Sequence, residues 1–208
     1  MNPDTPPQLL LIVLAGPNGA GKSTFYEEYL APGGLPFVNA DLLARGLGGV
    51  DDEARARQAA DLAEQERQLL LSERRSFITE TVLSDPVGDK VARFAAAREL
   101  GYFLDVHFIG IASPMLSLAR VIDRVSRGGH DVPDDRIQAR YPRTLQNLVR
   151  LLDVADRLSI YDNSEVLRPH RLVALLEGGR LIAIADPQPT WLDEVRLMSR
   201  RTATTRLL

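Results

Sequence analysis

The chain has 208 residues, of which 45% are hydrophobic and 25% are charged, a balance typical of a globular domain that buries its own core. The formal net charge of −3 argues against a protein that coats nucleic acid or lies on an anionic membrane. The absence of cysteine excludes disulfide frameworks, thiol nucleophiles and cysteine-ligated metal sites. The longest apolar run, Leu9–Ala15, is too short to span a bilayer, and no basic leader precedes it, so we expect a cytoplasmic protein.

Hydrophobic patterning predicts alternating strands and helices over the first half of the chain. Continuously apolar runs predict strands, and runs with a helical apolar stripe bounded by glycine, proline or aspartate predict helices. The predicted strands are residues 9–15, 76–82 and 102–111, and the predicted helices are residues 22–30, 41–47, 52–74 and 85–100. The last of these helices is expected to begin at Asp85-Pro86. Apolar strands without polar alternation are typical of a parallel sheet covered on both faces.

The second half of the chain has a different character. Between residues 113 and 153, two arginine-rich helical stretches flank a bend that contains Gly128, Gly129 and Pro133. The further predicted elements are a strand at 158–161, a hairpin at 172–185 that turns at 177–179, and a helix at 191–199. The whole pattern predicts one α/β domain over residues 1–208, with a mostly parallel sheet flanked by helices. Ligands of such sheets bind beyond the carboxyl ends of the strands.

A glycine-rich motif follows the first predicted strand and opens the first predicted helix. It runs Gly16-Pro17-Asn18-Gly19-Ala20-Gly21-Lys22-Ser23-Thr24 and matches the phosphate-binding pattern G-x-x-x-x-G-K-[ST]. The glycines allow successive backbone N–H groups to point at phosphate oxygens, and the helix directs its positive end at the same anion. Lys22 can reach the β- and γ-phosphates, and the Ser23 hydroxyl can ligate Mg²⁺. The motif therefore predicts a nucleotide-binding loop, with ATP and Mg²⁺ as the expected ligands.

The same motif is typical of the ATPase domains of ABC transporters. Those domains also carry a Leu-Ser-Gly-Gly-Gln signature, an apolar strand that ends in Asp-Glu, and a histidine beyond that strand. The chain lacks the signature, no predicted strand ends in Asp-Glu, and Asp105 lies inside a predicted strand rather than at its end. The sequence therefore excludes a transporter ATPase.

Two carboxylates stand where a phosphoryl transferase needs them. Asp41 follows Val38-Asn39-Ala40, just beyond the first strand–loop–helix unit, and Glu80 lies near the carboxyl end of the strand predicted at 76–82. Either could handle an acceptor hydroxyl, because the carboxyl ends of parallel strands face the ligand crevice. The alternatives are structural: Asn39 or Asp41 could cap a helix, and Glu80 could be an exposed strand residue.

Arginine side chains form two predicted helix faces, each with arginines at i, i+4 and i+7. The faces consist of Arg120, Arg124 and Arg127 before the bend and of Arg136, Arg140 and Arg143 after it. Two such faces joined by a glycine-containing bend predict a lid over about residues 113–153 that closes on a triphosphate. The alternative is a pair of solvated faces, because lysine occurs only at 22 and 90 and 23 of the 25 basic residues are arginine. His130, in the bend, is a candidate hinge or substrate contact.

Five motifs occur in a characteristic order along the chain. They are Gly16–Thr24, Val38–Asp41, Phe77–Ser84, Arg124–Asn147 and Tyr161–Ser164. With these residues in this order, the chain resembles the compact zeta-toxin-like P-loop kinases, also labelled ABC-type ATPases or kinases, from about Leu9 to Ser164.

The resemblance implies an ATP-dependent kinase that phosphorylates a hydroxyl of a small metabolite. Zeta toxins proper act on UDP-N-acetylglucosamine, and the resemblance extends to an antitoxin protein as a partner. It implies that Asp41 is the catalytic base and Lys22 the phosphate-binding lysine. The implied γ-phosphate clamp consists of Arg124 or Arg127 together with Arg140 or the His130 region. The implied acceptor contacts are Asn39, Asp41, Glu80, Thr81 and His130.

Two other functions compete with that of a metabolite kinase. One is a P-loop ATPase or regulatory switch in which water is the only phosphate acceptor. The other is a nucleic-acid-associated P-loop protein that uses the arginine faces on backbone phosphates, although the acidic net charge counts against it. ATP turnover that rises with a metabolite favours the kinase, whereas stimulation by nucleic acid with steep salt dependence favours the third function.

Overall fold

The computed structural model describes residues 8–48, 52–128 and 132–205, with the side chains of Asp52 and of residues 200–205 left aside. Within these residues, seven strands form one sheet. The strands are β1 (Leu10–Ala15), β2 (Phe37–Val38), β3 (Phe77–Thr81), β4 (Phe103–Gly110), β5 (Arg157–Asp162), β6 (Arg171–Glu177) and β7 (Arg180–Ile184). Their spatial order is β2-β3-β1-β4-β5-β6-β7. The first five strands are parallel to one another, β6 pairs antiparallel with β5, and β7 pairs antiparallel with β6. The prediction of a mostly parallel sheet flanked by helices is confirmed.

The α-helices lie where the apolar patterning predicted them, with differences at their ends; the last helix, predicted over 191–199, extends to Thr205. They are α1 (Lys22–Phe25), α2 (Ala40–Arg45), α3 (Asp52–Ser72), α4 (Asp89–Glu99), α5 (Pro114–Ser126), α6 (Asp134–Leu151) and α7 (Thr190–Thr205). α1 continues into a π-helical turn over Tyr26–Leu30. α4 begins at Asp89 and not at the predicted Asp85, because the Asp85 carboxylate accepts the Gly88 N–H at 2.6 Å and Gly88 turns the chain with φ of 90°. None of the described helices combines the length and apolar character that a membrane crossing requires.

Strand β4 shows how the sheet is covered on both faces. His107 packs against Phe25 of α1 with ring centroids 5.4 Å apart, whereas Phe108 packs against Trp191 of α7 at 6.1 Å. Because neighbouring strand residues point to opposite faces, α1 and α7 lie on opposite sides of the sheet. The Trp191 ring lies so close to β4 that a Cβ on Gly110 would collide with it.

Helix α6 lies in two different environments. Leu145, Leu148 and Leu151, in its second half, are at most 1% exposed and belong to the main core. In its first half, Ile137 packs with Val121 of α5 in a small separate apolar cluster. The lid over 113–153 stays a prediction, and we expect its last part to be fixed, because moving the second half of α6 would expose its buried leucines. We narrow the candidate lid to residues 118–128 and 132–137 and call this part of the described chain the α5–α6 arm.

Candidate active site

The glycine-rich motif forms a P-loop between β1 and α1, at the carboxyl edge of the sheet. Gly16, Gly19 and Gly21 have φ values of 146°, 67° and 90°, in a region where a side chain is strained. A Cβ on Gly16 would also collide with the Ile109 carbonyl, and a Cβ on Gly21 with the Asn163 amide. The glycines are therefore needed both for the backbone conformation and for the close approach of neighbouring strands.

Three side chains from outside the motif hold the P-loop in place. The Ser117 hydroxyl of α5 donates to the Asn18 carbonyl at 2.5 Å, and the Asn163 amide after β5 donates to the Ala20 carbonyl at 2.8 Å. His170, just before β6, lies with Nε2 3.2 Å from the last P-loop glycine carbonyl. Sequence reasoning assigned none of these three a role, because they lie far from the loop in the chain and no spacing connects them to it.

A cavity of about 190 Å³ opens above the P-loop, and we call it the P-loop cavity. Its lining consists of Asn18, Gly19, Ala20, Gly21, Lys22, Ser23, Thr24, Glu80, Arg120 and Arg124. The exposed hydroxyls of Ser23 and Thr24 and the guanidinium groups of α5 thus surround one space. The arrangement suits an anion, because backbone N–H groups, an ammonium and guanidinium groups are all donors.

The predicted arginines do not all reach this cavity. Arg120 and Arg124 line it, whereas Arg127 lies at the end of α5, is 76% exposed and pairs with Asp123 at 2.8 Å. Arg140 lies on α6 near Asp41 and Lys90, outside the lining residues. His130, the candidate hinge or substrate contact, lies outside the described residues.

Lys22 and Glu80 meet on the cavity wall. The Lys22 ammonium donates to the Gly16 and Pro17 carbonyls at 3.0 Å and lies 3.7 Å from one Glu80 carboxylate oxygen. The other Glu80 oxygen accepts the Asn39 side-chain amide at 2.7 Å. Because β2 pairs with β3, and β3 with β1, the residues that end these strands meet at one edge. The side chain of Glu80 is only 12% exposed, so it is not the exposed strand residue of the structural alternative.

Burial shifts the pKa values of Glu80 and Lys22 in opposite directions. Loss of solvent raises the pKa of Glu80 and lowers the pKa of Lys22, and the charge of each opposes the shift of the other. The negative charge of Asp41 also favours the protonated form of both groups. A phosphate bound beside Lys22 would likewise stabilise the ammonium.

The cap of α2 is Asn39 and not Asp41. The Asn39 side-chain oxygen accepts the backbone N–H groups of Asp41 at 2.8 Å and Leu42 at 3.2 Å. Asp41 is exposed, and its charge acts on both Lys22 and Glu80. Asn39 therefore has a structural role as a cap and as a partner of Glu80, which leaves the Asp41 carboxylate available to a ligand.

A second cavity, of about 370 Å³, lies between α3 and α4 over β3, and we call it the α3–α4 cavity. Glu80 lines both cavities, so the two spaces meet at its carboxylate. The polar lining residues from the three elements include Asp61, Glu64, Arg67, Thr79, Thr81, Asp89, Lys90 and Arg93. Of these, the sequence had singled out only Thr81 as a contact. Residues so far apart in the chain form no recognisable motif.

Within the described residues, no cluster of three or more histidine, aspartate or glutamate side chains could hold a metal ion by itself. A metal at this site would therefore need oxygens of a bound ligand in addition to those of the protein.

The family model described as AAA domain matches residues 11–144, a span from β1 through the P-loop and Glu80 into α6. A curated relative, an uncharacterized protein of Haemophilus influenzae, is 26% identical over 130 residues, which are 62% of this chain and 91% of that protein.

Two solved structures show the same fold. A complex of AvrRxo1-ORF1 and -ORF2 with ATP is similar with a TM-score of 0.70 and 16% identity, over 92% of this chain and 64% of that chain. The PezAT chromosomal toxin–antitoxin system of Streptococcus pneumoniae is similar with a TM-score of 0.60 and 16% identity, over 93% of this chain and 86% of that chain. The chain thus spans less than two thirds of the AvrRxo1 chain that it matches. The likeness to both structures is one of fold.

Proposed function

The chain belongs to the AAA domain family, and we propose that within it the protein is an ATP-dependent kinase that transfers the γ-phosphoryl group to a hydroxyl of a small metabolite. The observation that carries this proposal is the pair of cavities that meet at Glu80. The P-loop cavity has the chemistry of a phosphate site, and the α3–α4 cavity is a larger polar space beside it. An ATPase that used only water as acceptor would need no second cavity of about 370 Å³.

In the proposed reaction, the P-loop amides and Lys22 bind the β- and γ-phosphates, and Arg120 and Arg124 neutralise charge that develops on the transferring group. Asp41 orients the acceptor hydroxyl and takes its proton as the oxygen–phosphorus bond forms and the bond to the ADP oxygen breaks. Glu80, held by Asn39, accepts hydrogen bonds from the acceptor where the two cavities meet.

Magnesium fits this arrangement through Ser23, whose exposed hydroxyl lies on the wall of the P-loop cavity and is a hard oxygen ligand. When bound, the ion would neutralise charge on the β- and γ-phosphates.

The other candidate functions have less support. The arginine faces are partly neutralised, because Arg127 pairs with Asp123 at 2.8 Å and Arg136 with Glu53 of α3 at 3.1 Å. That pairing weakens the case for binding to nucleic acid phosphates. A nucleotide-sugar such as UDP-N-acetylglucosamine is one acceptor to test, and an antitoxin protein is one partner to test, since a relative in fold belongs to a toxin–antitoxin system.

The test is incubation with γ-labelled ATP, Mg²⁺ and a panel of nucleosides, nucleotide-sugars, sugars and sugar acids, with products identified by mass spectrometry. We expect one class of acceptor to gain a phosphoryl group and to raise ADP production, and Lys22→Ala to abolish both. Release of inorganic phosphate at a rate that no acceptor changes would support the ATPase instead. Stimulation by DNA or RNA that disappears in high salt would support the nucleic-acid function.

A further inference from the structure

Lys90 stands out in the composition of the chain. It is the only lysine besides Lys22, since the other 23 basic residues are arginine. The two lysines line the two adjoining cavities, Lys22 the P-loop cavity and Lys90 the α3–α4 cavity. An ammonium is a compact, strongly hydrated charge with three rotatable donors, which a planar guanidinium does not reproduce.

The Lys90 ammonium donates to the Thr81 hydroxyl at 2.9 Å, which is a neutral acceptor. Among the described residues, no carboxylate lies within ion-pair distance of it. The carboxylate with the largest effect on the pKa of Lys90, Asp85, accepts the Gly88 N–H and lies 3.4 Å from the Asn147 amide nitrogen. Lys90 thus carries a positive charge that the described part of the protein does not pair.

Other cations approach the same space. Arg67 of α3 donates to the Thr79 hydroxyl at 3.3 Å, on the strand that also holds Thr81. Lys90 is an exposed residue, and partial loss of solvent beside the cavity together with the charges of Arg67 and Arg140 lowers its pKa, against the opposing charges of Asp85 and Glu64. Lys90 of α4 and Arg67 of α3 therefore bring two like charges to one cavity, and a bound anion would stabilise this pair.

The cavity lining also contains five carboxylates, and among the described residues none of them forms an ion pair with Lys90; they are Asp61, Glu64, Glu80, Asp85 and Asp89. Glu64 is already bound by Arg67 at 2.9 Å and by Arg93. Asp61 and Asp89 are exposed, where solvent and salt screen their repulsion of an anion.

We propose that Lys90 and Arg67 bind an anionic group of the acceptor, a phosphate or a carboxylate, inside the α3–α4 cavity. The acceptor is then an anionic metabolite that presents its anion to Lys90 and its reactive hydroxyl toward Glu80 and Asp41. This inference rests on the proposed function, because it takes the α3–α4 cavity as the acceptor site.

The pair of lysines permits a binding test that does not depend on turnover. Reductive methylation labels lysine amines, and cleavage after arginine places Lys22 and Lys90 on separate peptides for mass spectrometry. The probes are Mg²⁺ with a non-hydrolysable ATP analogue, a sugar phosphate, a sugar acid, and the parent neutral sugar. We expect the analogue to protect Lys22, and the sugar phosphate or the sugar acid to reduce labelling of Lys90 by about fivefold or more while the neutral sugar does not. The two anionic arms distinguish a phosphate from a carboxylate.

Protection of Lys22 alone by the anionic sugars, or equal labelling of Lys90 with every probe, would overturn the inference. If Lys90 is protected but no acceptor is phosphorylated, the anion site stands and the proposed kinase function fails. If a neutral acceptor is phosphorylated and Lys90 is never protected, the kinase stands and the anion site fails.

Variants of Lys90 provide a second readout once an acceptor is known. Lys90→Met is expected to raise KM for the anionic acceptor about tenfold with KM for ATP unchanged, as loss of one charged hydrogen bond predicts. Lys90→Arg should restore part of the loss because it restores the charge. The matched control is Arg180→Met, which removes one exposed positive charge on β7, and it should leave both constants unchanged. An unchanged acceptor KM in Lys90→Met would contradict the inference.

Discussion

The P-loop cavity and the α3–α4 cavity share Glu80, yet they are built in different ways. The first is formed mainly by the backbone of consecutive residues, with three glycines in left-handed or related conformations. The second is formed by side chains of α3, β3 and α4, which come from well-separated parts of the chain. In the proposed function, local geometry of the P-loop binds a phosphate, whereas the packing of three elements selects the acceptor. The two cavities should therefore respond differently to substitution.

The largest effect is expected for Lys22→Ala, which removes the ammonium from the P-loop cavity. Turnover of ATP should fall by about 10²–10³-fold, because a fixed charge next to the transferring group is lost. The fold should persist, since Lys22 bonds only to P-loop carbonyls and Glu80, and thermal denaturation checks this. Lys22→Met, which keeps the apolar stem, is the matched control for lost packing and should be equally inactive. Turnover close to that of the wild type in either variant would show that the P-loop serves another purpose.

Asp41→Asn tests a carboxylate that lines neither cavity but whose charge acts on both Lys22 and Glu80. Transfer to the acceptor should fall by about 10²-fold, because an amide cannot take the proton of the hydroxyl. Melting temperature and ATP affinity should stay near the wild-type values, since Asn39 and not Asp41 caps α2.

The matched control for the cap is Asn39→Ala. It should reduce the free energy of unfolding by about 0.5–2 kcal/mol, because two backbone N–H groups lose their acceptor. Full transfer activity in Asp41→Asn would assign the proton to a different residue.

Glu80→Gln acts on the residue that both cavities share. KM for the acceptor should rise by about tenfold and exceed the change in ATP affinity, because a charged hydrogen-bond acceptor is lost at the acceptor side. An equal loss of acceptor affinity and ATP affinity would instead indicate that Glu80 acts near the Mg²⁺ of the nucleotide.

We also expect the difference in stability between Glu80→Gln and the wild type to change with pH. Burial raises the pKa of Glu80 above 4.5, so the folded protein binds the proton more tightly than the unfolded chain. The contribution of Glu80 to stability is then present below its unfolded pKa and is lost as the pH rises through its folded pKa. The melting temperature of Glu80→Gln should therefore increase relative to the wild type as the pH rises from about 4 to 7. A constant difference across that range would show that burial does not control the titration of Glu80.

The smallest effect is expected in the α5–α6 arm. Its apolar cluster of Val121, Val132 and Ile137 is separate from the main core, so opening the arm exposes little buried surface. Hydrogen exchange in residues 118–128 and 132–137 should slow when a non-hydrolysable ATP analogue and Mg²⁺ are added. Residues 144–151 of α6, whose leucines lie in the main core, are the internal control and should not change. Equal protection of the arm with and without the analogue would argue against a lid.

The amino-acid sequence by itself determined the alternation of strands and helices, the P-loop and the edge of the sheet where ligands bind. These features are local, because they depend on apolar runs, on glycines within one turn and on the direction of parallel strands. Asp41 and Glu80 could be identified as candidates from local position too, since Asp41 comes just beyond the first strand–loop–helix unit and Glu80 lies near the carboxyl end of a predicted strand. The start of α4 was misplaced because the Asp85 side chain forms a turn that the apolar pattern does not show.

Only the tertiary structure decided which side chains meet. Ser117 and His170 contact the P-loop across about a hundred or more residues of chain, and no local pattern indicates such contacts. Both halves of α6 carry apolar residues at helical spacing. One half packs in the main core and the other in a small cluster, because different elements lie against them. Lys90 could be noticed as a rare lysine, but its place beside Arg67 in the α3–α4 cavity depends on how α3 and α4 pack over β3. Contacts between distant segments depend on packing in three dimensions, which the spacing of residues along one chain does not encode.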